Sequence, residues 1–477
     1  MHPVSLLLHR RNFALAWFSG LISLTGDWML HTALPVYAYQ LTGSTMATGA
    51  MLAAVVTPRL LLGSVAGVFV DRWDRRRTLI VANLLLSLGL VPLLLVASVD
   101  DLWLVYVVAF VMSVLAQVVK PAEGALLPLL VEPHELVPAN SLNALNSNVS
   151  RLVGPALGGL IVATTGLVGV AVVDGISFIV AAGLTALISV DSRPSATRPS
   201  ATRPTATRTP TASNPWASVW HDWLDGLRLV WRHRTLRLIF AFMAISSVGE
   251  GVMGSLFAPF VMQVLDGGEV GFGIFVSAQA VGGLIGSFAL AWRPKIMAPA
   301  RLVGWGALGL AAIDLLTFNY HLLIPGLWPG LVLMAIVGLP AAGMVVGITT
   351  LIQYATTDAY RGRVLGAIGA TAACSTLIGA LIGGVAGDRF GIVTVLNIQG
   401  LGYGLAGLMV LLLLPDAVAA ETAASEPAIS AHSDTANRRP LKSPSPPAPL
   451  PVRERGETRS SCLPSPPPGR GAGGEGP

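Results

Sequence analysis

Residues 46–70 read MATGAMLAAVVTPRLLLGSVAGVFV, residues 71–77 read DRWDRRR, and residues 78–99 read TLIVANLLLSLGLVPLLLVASV. A helix needs about 20 predominantly apolar residues to cross the hydrocarbon core of a bilayer. The two flanks meet that length, so they read as a pair of membrane-spanning helices joined by a short basic turn. The rest of the chain follows the same pattern. Of its 477 residues, 53% are hydrophobic and only 12% are charged, with a net charge of +5 and a mean hydropathy of +0.68. A soluble chain carries about a quarter charged residues, so an ordinary cytosolic globule is excluded. The small basic excess lies in loops and tails, which argues against a nucleic-acid partner.

Walking outward with the same ruler gives twelve spans: 13–39, 46–70, 78–99, 102–129, 141–165, 167–190, 236–263, 270–292, 301–320, 322–353, 364–386 and 392–414. The first is too long for the apolar region of a signal peptide and has no small-residue cleavage site, so it is expected to stay in the protein. With both termini on the cytoplasmic side, 26 of the 30 Lys and Arg residues fall inside, and one, Arg389, falls outside. The other three, Arg59, Lys120 and Arg151, fall within spans. Cytoplasmic loops carry the excess of Lys and Arg, so this orientation is the expected one.

Between the sixth and seventh spans lies a change of composition. Residues 194–208 repeat PSATR-PSATR-PTATR, a low-complexity pattern that cannot build a core. A disordered cytoplasmic linker is expected over 191–215. From 216 to 234 the chain reads WASVWHDWLDGLRLVWRHR, with Trp216, Trp220, Trp223, Leu224, Leu227 and Trp231 at helical spacing. That pattern predicts an amphipathic helix lying in the membrane interface, or else an extension of the seventh span. Residues 416–477, rich in Pro, Gly, Ser and Arg, predict a disordered tail.

Six spans on either side of a linker suggest duplication. Gly26-Asp27 matches Gly249-Glu250, Ser23 and Gln40 match Ser246 and Gln263, and Gly63-Ser64 matches Gly286-Ser287, all at an offset of 223. Asp174 falls on Asn397 at the same offset. Gly154-Pro155-Ala156-Leu157-Gly158-Gly159 matches Gly379-Ala380-Leu381-Ile382-Gly383-Gly384 at 225. Two parallel six-helix halves, 1–190 and 235–415, are the architecture of secondary transporters with the site at their interface. The expected class is therefore an all-α membrane protein, twelve transmembrane helices in two six-helix bundles.

Several chemistries are missing from the sequence. Cys374 and Cys462 are the two cysteines, and neither has an obvious disulfide partner. The eight His residues form no cluster with metal spacing. There is no G-x-x-x-x-G-K-[ST] loop and no G-x-S-x-G elbow. An enzyme is not expected, nor is a cofactor or a metal, and transport would draw on something other than the chain's own ATP hydrolysis.

The basic turn is Gly67-Val68-Phe69-Val70-Asp71-Arg72-Trp73-Asp74-Arg75-Arg76-Arg77. It resembles the G-x-x-x-D-R-x-G-R-R loop of the major facilitator superfamily, with Asp74 where Gly is usual. Taken alone, the arginines would make only a topology-setting loop. The stretches RNFALAWFSGLISLTGDWMLHTALPVYAYQLTGS, PAEGALLPLLV and PANSLNALNSNVSRLVGPALGG look similar to the facilitator branch of enterobactin exporters and macrolide efflux pumps. GRVLGAI and GALIGGVAGDRFG resemble it more weakly. The resemblance implies export of amphipathic small molecules driven by protons. It makes Gly67, Asp71, Arg72, Arg75 and Arg76 a conformational latch, for which Glu123 is the acid expected to meet the arginines. Gly154, Pro155, Gly158 and Gly159 resemble the Gly-Pro motif of drug–proton antiporters, although small residues at this spacing also serve close helix packing.

Charges within the spans are the remaining lead, because burying one costs at least about 2.5 kcal/mol by insertion scales. Asp27, Arg59, Arg151 and Glu250 fall near mid-depth. An Asp27–Arg59 pair is expected on adjacent spans. No basic partner within its own half is visible for Glu250, which makes it the first candidate for proton coupling, with Asp314 and Asp174 next. Lys120 and Glu123 are placed as a local pair three residues apart. Phe242, Met243, Met253, Phe257 and Phe260 on the seventh span either line an apolar cavity or serve lipid-facing and packing roles. The partners expected are a small-molecule substrate, protons and the lipid bilayer, with the chain a monomer. A lipid or nutrient transporter or flippase of the same fold stays open, as does a transport-inactive scaffold or sensor.

Overall fold

The computed structural model describes residues 3–62, 73–190, 228, 230–231, 233–292, 297–356 and 358–414. All belong to one unit, Met1–Thr422. After a short helix, Pro3–His9, the spans follow in order. Spans one to four are Arg11–Thr42, Thr45–Leu62, Arg75–Gly89 and Leu102–Leu130. Span three is extended toward its end by a 3-10 turn, Val91–Leu95. Spans five and six form a single helical stretch, Leu136–Ala186. Spans seven to twelve are Arg234–Pro259, Gly268–Trp292, Pro299–Asn319, Trp328–Ala355, Asp358–Phe390 and Ile392–Leu413. A π-helical turn, Phe260–Val264, follows Pro259. No strand occurs among the described residues.

Eleven described helical stretches are long and apolar enough to cross a membrane, and the longest, Pro133–Ala186, has 54 residues. Straight, it would measure about 81 Å at 1.5 Å per residue, far beyond the ~30 Å core of a bilayer. The chain breaks it at Gly166, where φ is 68° and ψ is −165°. Only glycine adopts that conformation at low cost, and it divides the stretch at the residue between the two spans expected from sequence. Twelve spans result.

Packing repeats between the halves. Span one lies against the five–six helix, span two against four, and span three against four and six. Span seven lies against eleven and twelve, eight against ten, and nine against ten and twelve. Each contact of the second half is the counterpart of one in the first, shifted by six spans. The glycines carry the same symmetry. A Cβ on Gly154 would come within 2.4 Å of the Trp28 side chain, and one on Gly158 within 2.7 Å of the Met29 carbonyl. A Cβ on Gly379 would come within 2.1 Å of the Val248 carbonyl, and one on Gly383 within 2.4 Å of Ser255 Oγ. Without a hydrophobic drive between helices in lipid, such backbone approach supplies much of the attraction.

Outward faces carry exposed apolar side chains such as Trp103, Ile176, Leu401 and Leu405, as suits a lipid surface. Inside the second bundle, Phe257 packs on Phe272 with ring centroids 5.7 Å apart, and Phe260 on Phe318 at 5.4 Å. Phe242 is likewise buried. These three rings therefore belong to packing rather than to a cavity lining, while Met243 and Met253 are half-buried against the cores. The expected linker, the tail and nearly all of the amphipathic helix at 216–234 lie outside the described residues.

Gly158→Ala and Gly379→Ala are expected to lower stability by about 1–3 kcal/mol each, the usual cost of overpacking. Gly183→Ala, where a Cβ meets nothing within 4 Å, should leave it unchanged. Heating the detergent-solubilised variants and following the monodisperse peak on size-exclusion chromatography measures this. Equal stability of Gly158→Ala and Gly183→Ala would contradict the packing account.

Candidate functional site

Two acidic clusters face the middle of the molecule, one from each bundle. In the first, Gly26 gives span one room to lie against span six: a Cβ there would stand 2.0 Å from Asp174 Oδ1. Asp174 is fully buried. Ser177 Oγ donates to its Oδ1 at 3.1 Å, and its Oδ2 has no hydrogen-bond partner. The next residue on span one, Asp27, is surrounded by protein atoms yet keeps accessible surface. The charges within its electrostatic reach are Lys120, Glu123 and Asp174. In the second bundle, Gly249 lies against span twelve, where a Cβ would stand 3.2 Å from the Tyr403 ring and 3.4 Å from Gln399. Glu250 follows it and, like Asp27, is deep but accessible. Asp314, 5% exposed, accepts from Gln399 Nε2 at 3.5 Å. Tyr403 donates its hydroxyl to the Ser246 carbonyl at 3.2 Å. Glu250 and Asp314 are both within electrostatic reach of that ring.

Arg151 joins the two clusters. Its Nη2 donates to Gln279 Oε1 of span eight at 3.2 Å, across the bundles. Its guanidinium lies 5.8 Å from the centre of the Trp28 ring on span one, within cation–π range, and within electrostatic reach of Glu250. The cation nearest Glu250 thus comes from the opposite half, which a search within one half could not find.

Three expected pairings are corrected. Asp27 and Arg59 form no ion pair; Arg59 is exposed on span two, and the cation near Asp27 is Lys120. Lys120 and Glu123 are not in contact as an ion pair either, although each feels the other's charge. Nor, among the described residues, does Glu123 form an ion pair with Arg75, Arg76 or Arg77. It lines a cavity of about 110 Å³ inside the first bundle with Trp17, Asn83, Asn143, Asn146 and Ser147. Arg76 donates instead to the carbonyls of Thr185 and Ala186, at 3.3 and 2.5 Å, at the end of span six. There the unpaired carbonyls of a helix C-terminus favour a cation. Arg75 opens span three behind Asp74, whose side chain accepts from Arg77 N at 3.0 Å. That capping explains the departure from the usual Gly. Gly67, Asp71 and Arg72 lie outside the described residues.

Trp28, His31, Gln279, Gln399 and Tyr403 escaped sequence reasoning. His31 stands one helical turn beyond Asp27, with its ring 5.5 Å from Trp28, so spacing alone places it on the same face. The other four had no signal beyond polarity or size. No group of three or more His, Cys, Asp or Glu among the described residues could hold a metal.

The profile of the Major Facilitator Superfamily matches residues 16–320. The chain belongs to the major facilitator superfamily. It is 24% identical over 395 residues to macrolide efflux protein A of Streptococcus pyogenes, covering 80% of this chain and 90% of that one. The multidrug efflux pump Tap of Mycobacterium tuberculosis is 27% identical over 389 residues, covering 79% and 87%. The enterobactin exporter EntS of Citrobacter koseri is 24% identical over 422 residues, covering 86% and 94%. Among solved structures, the peptide transporter POT in complex with alafosfalin superposes with a TM-score of 0.66 at 13% identity, covering 85% of this chain and 95% of that one. The protein is therefore a multi-pass facilitator whose relatives include efflux pumps.

Gly26→Ala should sharply reduce the yield of monodisperse protein, because a methyl group there displaces Asp174. The milder contacts at Gly249 predict a smaller loss for Gly249→Ala. Combining Gly26→Ala with Asp174→Ala should restore most of the yield, since the pair then shares one space. A double variant no better than Gly26→Ala alone would refute this coupling.

Proposed function

We propose that this facilitator exports amphipathic small molecules from a bacterial cell by alternating access, using the proton gradient across the plasma membrane. The observation that carries the proposal is Arg151 donating to Gln279 across the bundles and lying within electrostatic reach of Glu250. Five carboxyl groups, Asp27, Glu123, Asp174, Glu250 and Asp314, have two cations within electrostatic reach, Lys120 and Arg151. In a low-dielectric interior an uncompensated carboxylate is costly, so protons or a cationic cargo group must balance the excess. Binding at the bundle interface biases two conformations only to the extent that it differs between them. Glu250 meets that condition, because its cation belongs to the other bundle and the separation changes when the bundles rock. The efflux activities named for the relatives support the direction of transport, and the 26-to-1 distribution of basic residues supports cytoplasmic termini.

The proposed parts are an N-terminal bundle over 1–190, a linker over 191–215, an interfacial helix over 216–234, a C-terminal bundle over 235–415 and a tail over 416–477. The cargo would enter between the bundles as a monomer's single path.

Glu250→Gln should abolish proton-driven efflux from proteoliposomes while still allowing exchange of cargo down its own gradient. Uphill efflux by that variant would remove Glu250 from the coupling role. Growth of cells expressing the protein against a panel of macrolides and dyes, with and without a protonophore, tests the export reading itself. Resistance that persists after the gradient collapses would overturn proton coupling. Cysteines introduced by Ser44→Cys and Asp74→Cys should label from opposite sides of the membrane, and labelling of both from outside would overturn the orientation.

A further inference from the structure

Spans two and eleven run antiparallel and touch backbone to backbone. A Cβ on Gly49 would stand 2.6 Å from the Ala380 carbonyl, and one on Gly384 3.0 Å from Met46 Cα. This contact lies at the far end of the molecule, away from the N-terminus of span one. All hydrogen bonds between the bundles among the described residues lie there or at mid-depth. Tyr39 pairs with Gln263, Gln40 with Glu269, and Thr48 with the Ser255 carbonyl.

Asp388, at the end of span eleven, is the most connected of these groups. Its two carboxylate oxygens accept from Ser44 Oγ at 2.6 Å, Thr45 N at 2.7 Å, Thr45 Oγ1 at 2.8 Å and Met46 N at 3.3 Å. Span two has no acidic residue of its own in its first turn. Its positive end is therefore capped by a carboxylate from the opposite bundle. The counterpart pair, spans five and eight, lacks this device: span eight carries its own Glu269 in its first turn, and span five ends in Ala163-Thr164-Thr165.

The sequence around Asp388 is Gly384-Val385-Ala386-Gly387-Asp388-Arg389-Phe390, and the end of span two reads Gly67-Val68-Phe69-Val70-Asp71-Arg72-Trp73. Both read Gly-Val, two residues, Asp-Arg, then an aromatic ring. We propose that Asp388 is a far-end latch, holding the state seen here by capping span two, and that it is released when the far end opens. The proposal deepens the transport reading, but its test uses no cargo, so its failure leaves that reading standing.

Spin labels on Asp100→Cys and Leu323→Cys, both exposed in far-end loops of opposite bundles, read the opening in a Cys374→Ser, Cys462→Ser background. The full chain in lipid nanodiscs is measured by double electron–electron resonance. Asp388→Ala should raise the ratio of long to short far-end distances about fivefold, the usual effect of losing one helix cap. Asp388→Asn, which keeps an acceptor and the shape, should raise it less. An unchanged distribution in both Asp388 variants would overturn the latch.

Discussion

Backbone-to-backbone contact between bundles is the constraint on which the arrangement rests. It occurs where Gly49 meets Gly384 and where Gly159 meets Gly273, each pair leaving room for no more than a hydrogen between the chains. A Cβ on Gly159 would stand 2.4 Å from the Glu269 carbonyl, and one on Gly273 2.3 Å from the Pro155 carbonyl. In hydrocarbon, helices gain little from hiding apolar side chains, so close van der Waals approach and polar contacts decide which faces meet. Two glycine seams related by the internal repeat therefore fix the axis between the halves. The polar contacts at the far end, and Arg151 at mid-depth, are held in register by them.

Those seams also account for how the charges are distributed. Small residues on spans five and eleven face the partner bundle with Gly159 and Gly384, and face their own bundle with Gly154, Gly158, Gly379 and Gly383. Spans one and seven are drawn in close by the second set. Asp27 and Glu250 each follow a glycine, Gly26 and Gly249, that lets spans six and twelve approach, and both acids keep accessible surface.

Much of this was legible in the sequence. The number of spans, the internal repeat and the Gly166 division follow from apolar length and offset, which are properties of the chain read along one dimension. The Gly-Pro stretch carried its packing role in its spacing. Pairings of charge did not follow, because they depend on which face of each helix turns inward and on contacts between distant segments. Asp27 and Arg59 lie on consecutive spans, yet Asp27 lies within reach of Lys120 and Asp174 while Arg59 is exposed. Glu123 is read from its neighbours as a local ion pair, but the cavity within its bundle supplies amide and hydroxyl groups that a linear spacing cannot reveal. Phe242, Phe257 and Phe260 illustrate the same limit, since an aromatic ring at helical spacing fits a cavity wall and a packed core equally well.

The two halves differ in how they hold their buried polar groups. The first bundle keeps Lys120 beside Asp27 and buries Asp174 with Ser177 as its donor. The second replaces the Asp174 position by Asn397, which exchanges hydrogen bonds with Asn319 at 2.7 and 3.1 Å. Its acid, Asp314, comes from span nine and meets Gln399 instead. A neutral amide pair needs no proton and no counter-ion, whereas a buried carboxylate does. The charge balance of the interior is therefore uneven: Lys120 lies within electrostatic reach of Asp27 in the first bundle, the second holds the amide pair, and Arg151 reaches from the first bundle to Gln279 of the second.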